Sequence, residues 1–108
     1  MAKLELELSE NFDALLSRIE DGILESSLSA SLEEESDMFS GRARCSVRVF
    51  ERYSWSGSNR VSLSVTLFQH EGEPVHLCAV TSGGSQAMLF KVNTWGEEAF
   101  LDKLREIL

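Results

Sequence analysis

The strict alternation of apolar and polar residues over positions 60–69 constrains the fold more than any other feature of the chain. Four apolar side chains occupy the odd positions, and hydroxyl residues lie between them; the apolar set is Val61, Leu63, Val65 and Leu67. Successive side chains of a strand point to opposite faces of a sheet, so this segment predicts a strand with one buried face. Similar alternation predicts strands at 3–8, 26–35, 42–53 and 75–81, and a shorter strand at 86–92.

Short polar segments separate the middle strands, at 36–41, 54–59 and 70–74, and such connections join antiparallel neighbours. Two other segments have helical spacing. After a cap at Ser9 or Asn11, apolar residues recur every three or four positions as far as residue 23, with Asp21-Gly22 as the predicted stop. Thr94 to Glu97 has the pattern of a capping box, which predicts a second helix up to the carboxyl end.

These elements predict an α+β fold in one domain covering residues 1–108. We expect a two-layer sandwich, with an antiparallel sheet of about six strands carrying two helices on one face in the order β-α-β-β-β-β-β-α. A chain of 108 residues is the size of a single hydrophobic core. The second face of the sheet is expected to be uncovered.

The composition argues against several partners and locations. The net charge of −8 disfavours nucleic acid and anionic membrane surfaces, because both repel an acidic protein. The first residues lack the apolar stretch of a signal peptide, and no apolar run could span a bilayer, so we expect a cytoplasmic protein. Cys45 and Cys78 have opposite parities relative to the apolar residues of their strands. We therefore expect them on different faces, without a disulfide.

Arginines at even positions give the strand at 42–53 a charged face. They are Arg42, Arg44, Arg48 and Arg52, and Ala43, Cys45, Val47 and Val49 form the opposite, apolar face that we expect to point inward. A hairpin in even register would place Glu35 opposite Arg42 and Glu33 opposite Arg44. Arg48 and Arg52, and Arg60 at the start of the next strand, would then lack an internal partner.

Aromatic residues accompany these arginines. Phe50 and Phe68 are expected on the same outward face, and Trp55 at the tip of the loop at 54–59. Arginine beside aromatic residues is typical of an interface. A solvent-exposed face whose charges pair internally is an equally good interpretation, since surface ion pairs are common and weak. Trp55 could equally fold back over the sheet edge.

Other motifs favour structural roles over chemistry. Gly83-Gly84-Ser85-Gln86 suggests a phosphate-binding loop, but no lysine follows at the required spacing, so a turn is favoured. His76 and Cys78 share a face, with His70 in the preceding turn, yet no further ligand completes a metal site. Neither histidine has an evident orienting carboxylate. We expect no catalytic residue, no metal and no cofactor.

Several short segments resemble a known family. Glu51-Arg52-Tyr53-Ser54, the stretch at 57–62, the stretch at 81–87 and the stretch at 93–101 are similar to a family of small uncharacterised bacterial proteins, a domain of unknown function of about this length. The resemblance implies a cytoplasmic bacterial protein and supplies no activity. The order of elements also resembles a reduced helix-grip arrangement, in which a curved sheet wraps a carboxy-terminal helix and leaves room for a small pocket.

Two functions follow as expectations. The first is a non-enzymatic interaction module that forms a homo-oligomer, with a dimer favoured, through the open sheet face or an edge. The second is a protein that binds a small anion with Arg48, Arg52 or Arg60 beside the loop at 82–86.

Overall fold

A computed structural model describes residues 1–53, 59–83 and 90–108, and for residues 90–95 it describes the backbone. The chain order is β1 (Ala2–Leu8), α1 (Phe12–Glu25), β2 (Ser31–Ser40), β3 (Ala43–Tyr53), β4 (Arg60–His70), β5 (Val75–Gly83) and α2 (Phe90–Ile107). Neither described helix is long and apolar enough to cross a membrane.

The described strands form one antiparallel five-stranded sheet in the order β1-β5-β4-β3-β2. Both helices pack on the same face and bury one core with it. The alternating residues of β4 lie in that core as predicted; they are Val61, Leu63, Val65 and Leu67. The α+β class is therefore confirmed. Of the predicted sixth strand, residues 90–92 belong to α2, and residues 84–89 lie outside the described part of the chain.

The β2–β3 hairpin differs from its prediction in position and register. Its turn is the two-residue Gly41-Arg42 connection, with Ser40 paired to Ala43, so the segment predicted as a turn at 36–41 is mostly strand. Gly41 has a φ of +56°, a conformation typical of such tight turns. Glu35 consequently lies opposite Arg48, and the predicted pairing of Glu35 with Arg42 is wrong.

The strand predicted to begin at residue 26 begins only at Ser31 in the structure. Serine hydroxyls hold this stretch in a turn: Ser26 donates to the carbonyl of Ile23, and Ser27 accepts from the backbone N–H of Ser29. Such local bonds compete with the ladder of a strand. Leu28, predicted to face inward, is fully exposed as a result.

The end of α1 and the start of α2 also differ from the sequence prediction. Gly22 does not stop α1, which continues to Glu25. A Cβ atom at position 22 would lie 2.5 Å from Cδ1 of Ile107, so glycine allows α1 and α2 to approach closely. The helix α2 begins at Phe90, and Thr94 is therefore inside it rather than at its cap. The cap of α1 at Asn11 is confirmed, since its side chain accepts the N–H of Ala14 at 2.9 Å.

Candidate functional site

The strand β3 turns its arginines toward the helices and its small apolar residues away from them. We call the side of the sheet that packs on α1 and α2 the covered face, and the other side the open face. Arg48 pairs with Val65 and Phe50 with Leu63, and both partners belong to the core. The expectation that Phe50 and the three arginines of β3 project outward is therefore wrong. The open face instead receives Cys45, Val47, Val49 and Tyr53.

Arg48 is the most completely paired of the predicted site residues. Only 5% of it is exposed, and three carboxylates surround its guanidinium: Glu20 at 3.4 Å, Glu35 at 3.9 Å and Asp37 at 3.1 Å. It also donates to the backbone carbonyl of Ser36 at 3.2 Å. The prediction that Arg48 lacks an internal partner is wrong, because the true hairpin register and the helix α1 both supply acids.

Asp37 connects this cluster to a neighbouring hydroxyl. Ser46 donates to one oxygen of Asp37 at 2.6 Å, and Arg48 donates to the other at 3.3 Å. The Ser46 hydrogen bond, followed by the charge and hydrogen bond of Arg48, lowers the pKa of Asp37 below its ordinary value. This carboxyl therefore stays ionised to lower pH than a free aspartate.

The two flanking arginines bind the helices through aromatic rings. The guanidinium carbon of Arg44 lies 3.8 Å from the ring centre of Phe12, and its Nη2 lies 2.9 Å from Oδ1 of Asp13. Arg52 stacks at 4.5 Å over the ring of Phe100 in α2. Its buried Nε has no hydrogen-bond partner among the described residues, and burial lowers its pKa. Arg44, Arg48 and Arg52 thus attach the sheet to the two helices.

The two remaining arginines lie in exposed ion pairs. Nε of Arg42 lies 4.0 Å from Glu71, in a pair that is mostly exposed. Arg60 lies beside Glu51 at 2.6 Å and Glu33 at 3.5 Å, so its predicted lack of partners is also wrong. A shallow cavity of about 180 Å³ adjoins Arg60 and is lined also by Glu51, Ser62, Ser82 and Gly83.

The open face has small residues at its centre and charges along its edges. The strand pairing places the open-face residues in rows across the sheet. The middle row runs Glu34, Val49, Ser64, Val80, Lys3, and the next row runs Ser36, Val47, Thr66, Cys78, Glu5. The three central positions of each row are half-buried by their neighbours. The apolar residues of β3 and β5 thus flank the hydroxyls of Ser64 and Thr66 on β4, and the centre of the face carries no charge, as is typical of the core of a protein interface.

Phe68 is a large apolar side chain on this face, and its predicted outward position is confirmed, but the prediction that it shares a face with Phe50 is wrong. It is 44% exposed and lies between Cys45 and His76 in the row that also contains Met38 and Glu7. The rings of Phe68 and His76 are 6.2 Å apart. A shallow depression of about 380 Å³ runs beside them.

The cysteines and histidines on this side do not form a described metal site. Cys45 and Cys78 both lie on the open face, so their prediction on different faces is wrong; β4 separates them, and both are free. Nδ1 of His76 lies 3.4 Å from Glu7. Within the part of the chain that the structure describes, no three His, Cys, Asp or Glu side chains come together as possible metal ligands.

Part of the predicted loop site cannot be placed. Trp55 and the residues Gly84, Ser85 and Gln86 lie outside the described residues. Gly83 ends β5, and its backbone N–H donates to Glu97 at 2.9 Å. The other oxygen of Glu97 accepts from the amino group of Met1 at 2.9 Å, so this buried carboxylate links Met1 and the end of β5 to α2 instead of capping a helix.

Sequence reasoning missed the orientation of β3 because hydropathy favours burial of the apolar odd positions, whereas the helices cover the even positions that carry the arginines. One signal could have revealed it. The polar side of α1 carries Asp13 and Glu20 seven residues apart, or two helical turns, which is close to the spacing of Arg44 and Arg48 along a strand. Acids on a helix opposite arginines on a strand indicate a charged layer between them.

The comparisons with known proteins give a family and no function. The chain belongs to a family of unknown function (DUF6054), whose model matches residues 1–108. This confirms the resemblance of its motifs to a small domain of unknown function. No curated protein and no solved structure matches the chain.

Proposed function

We propose that this member of a family of unknown function is a non-enzymatic interaction module that forms a homodimer through the open face of its sheet. The observation that carries the proposal is the orientation of β3. The arginines of β3 contact the helices, whereas Cys45, Val47 and Val49 lie on the face that no described element covers. Half-buried valines in the middle of an uncovered sheet gain free energy when a second surface removes them from water.

The size of the open face fits a dimer. Five strands about 4.8 Å apart and up to eleven residues long present roughly 800 Å². A stable interface of standard size buries about 800 Å² on each partner. The small residues at the centre of the face would let a second sheet approach closely.

The β2 edge of the sheet is less suited to self-association than the face. The edge strand β2 carries Glu33, Glu34, Glu35 and Asp37, all exposed. Two such edges in antiparallel contact would bring like charges together, which is a common protection against edge pairing. We therefore assign the contact to the face. The proposal includes a cytoplasmic location in bacteria, as the motifs imply.

Sedimentation velocity on matched variants tests this function. We expect the wild type to sediment as a dimer at micromolar concentration and Phe68→Glu as a monomer, because the new charge would be buried between two sheets. Leu28→Glu makes the same kind of change at an exposed apolar site in the connection between α1 and β2, outside the sheet, and it should leave the dimer intact. A wild type that remains monomeric at 100-fold higher concentration would refute the proposal.

A second candidate is the binding of a small anion beside Arg60. The cavity there is lined by the hydroxyls of Ser62 and Ser82, which lie 2.7 Å apart and could turn toward an anion. Glu51 and Glu33 already neutralise Arg60, which weakens this candidate. Thermal-shift measurements with inorganic phosphate and simple carboxylates separate the two functions. Stabilisation that disappears in Arg60→Ala would favour anion binding.

A further inference from the structure

We infer that two copies pack open face to open face around a two-fold axis running along β4, so that Lys3 of each copy faces Glu34 of the partner subunit. This arrangement rests on the proposed homodimer and adds its geometry. The starting observation is that β4 is the central strand, with β5 and β1 on one side and β3 and β2 on the other.

Sheet packing limits the choice of axis. Two sheets that pack face to face keep their strands nearly aligned and lie about 10 Å apart. A two-fold axis in the plane between them can therefore run along the strands or across them. The two choices bring different residues of the open face together, and the charges distinguish them.

An axis along β4 places complementary residues together. It lays β1 over the partner's β2 and β5 over the partner's β3. In the middle row, Val80 then faces Val49 of the partner subunit, and Lys3 faces Glu34 of the partner subunit. The two-fold symmetry makes each of these contacts twice. Both charged side chains lie at the rim and are exposed enough to reach across. Nζ of Lys3 also lies 3.2 Å from Glu5 of its own chain in an exposed pair, so it would bridge Glu5 and Glu34 of the partner subunit.

An axis across the strands through the same row is unfavourable. It would set Lys3 against Lys3 and Glu34 against Glu34 of the partner subunit. Like charges facing each other oppose association. The axis along the strands avoids this repulsion and converts the same four charges into two attractive pairs.

The neighbouring rows agree with this axis. Cys78 faces Val47 of the partner subunit, and Phe68 lies against its own copy near the axis, where aromatic rings can pack in an offset stack. Arg60 also lies on β4, but its charge is already balanced within each chain by Glu51 and Glu33. The approach of two Arg60 side chains therefore costs little.

Charge reversal at the rim tests the arrangement. Lys3→Glu and Glu34→Lys each replace two attractive pairs by two repulsive ones, and each should weaken the dimer about tenfold in sedimentation equilibrium. The combined variant restores opposite charges and should return to within about threefold of the wild type. Lys103→Glu and Glu106→Lys, an exposed pair on α2, make the same charge changes away from the face and should have no effect.

The outcomes separate this inference from the proposed function. Recovery in the combined variant supports the axis along β4. A dimer that Phe68→Glu disrupts but that shows no such recovery refutes the axis and leaves the open-face homodimer standing. A monomeric wild type refutes both.

Spin labels give a second measurement that does not depend on charge. In a variant with Cys45→Ser and Cys78→Ser, a label at Phe68→Cys should meet its symmetry mate across the sheet gap, about 10 Å away. An axis across the strands at Ser64 would separate the same labels by roughly 28 Å, since each lies four residues from the axis. The longer distance would overturn the inference.

Discussion

The two faces of β3 differ in what they contact: one packs on the helices through arginines, and the other presents small apolar residues that no described element covers. On the covered face, Arg44, Arg48 and Arg52 hold the helices by ion pairs and ring stacking. On the open face, Val47 and Val49 lie half-buried with no described element above them. Charges are thus buried where apolar residues are expected, and apolar residues are left where charges are expected.

This difference shows that hydropathy alone does not decide which side of a strand is covered. A guanidinium can lie under a helix when carboxylates or aromatic rings meet it. The cluster of Glu20, Glu35 and Asp37 around Arg48 meets that condition. The contacts of Arg48 on the covered face are therefore made within one chain, and the open face is the one that we propose for association.

Removal of Arg48 should have the largest effect on the covered face. Arg48→Ala leaves three carboxylates close together without their cation and should lower the free energy of unfolding by about 2–4 kcal/mol. Urea denaturation measures the change. Arg42→Ala, in the exposed turn before β3, should change it by less than about 0.5 kcal/mol. Equal effects of the two substitutions would show that the ion pairs of Arg48 stabilise the fold no more than an exposed pair does.

Replacement of Arg52 should have a smaller effect than replacement of Arg48. The difference would distinguish an arginine that stacks on a ring from one that is held by carboxylates. Arg52→Met keeps an unbranched side chain over Phe100 and removes a buried Nε that lacks a described partner. The free energy of unfolding should stay within about 1 kcal/mol of the wild type or increase. Arg48→Met, made as the matched control, should be clearly destabilised. A loss of about 3 kcal/mol in Arg52→Met would mean that its guanidinium binds an anionic group.

The smallest expected effect concerns the pKa of Asp37. Ser46→Ala removes the hydrogen bond that lowers this pKa, so the pKa should rise toward the ordinary 3.8. A carboxyl with a lowered folded pKa stabilises the protein above its unfolded pKa and loses that effect as the pH falls through the folded pKa. The stability difference between wild type and Ser46→Ala should therefore shrink below about pH 4.

Carboxyl chemical shifts in an NMR titration measure this pKa directly. Glu10 serves as an internal reference, because its lowered pKa comes from Arg18 and should not respond to Ser46→Ala. An unchanged pKa of Asp37 would mean that Ser46 does not set its ionisation.

The sequence predicts the fold class because its strongest patterns are local. The alternation in β4 and the cap at Asn11 depend on neighbouring residues, and both are confirmed. The β2–β3 register depends on a Gly41-Arg42 turn that a longer polar segment obscures. A shift of one position in such a hairpin changes which residues face each other.

The candidate site was less predictable, because it depends on contacts between distant elements. The role of Arg48 requires Glu20 on α1, which is 28 residues away in the chain. The role of Gly22 requires Ile107 at the other end of the chain. Phe68 was predicted correctly, since its exposure follows from the parity of β4 alone.

The most direct test of the central claim uses the two native thiols of the open face as probes. Cys45 and Cys78 both lie on this face, and a second copy packed against it would shield both. We predict that their rate of reaction with a thiol reagent falls as the wild-type concentration rises through the dimer range, and that Phe68→Glu removes this dependence. A wild-type rate that stays constant over that range would contradict the open-face homodimer.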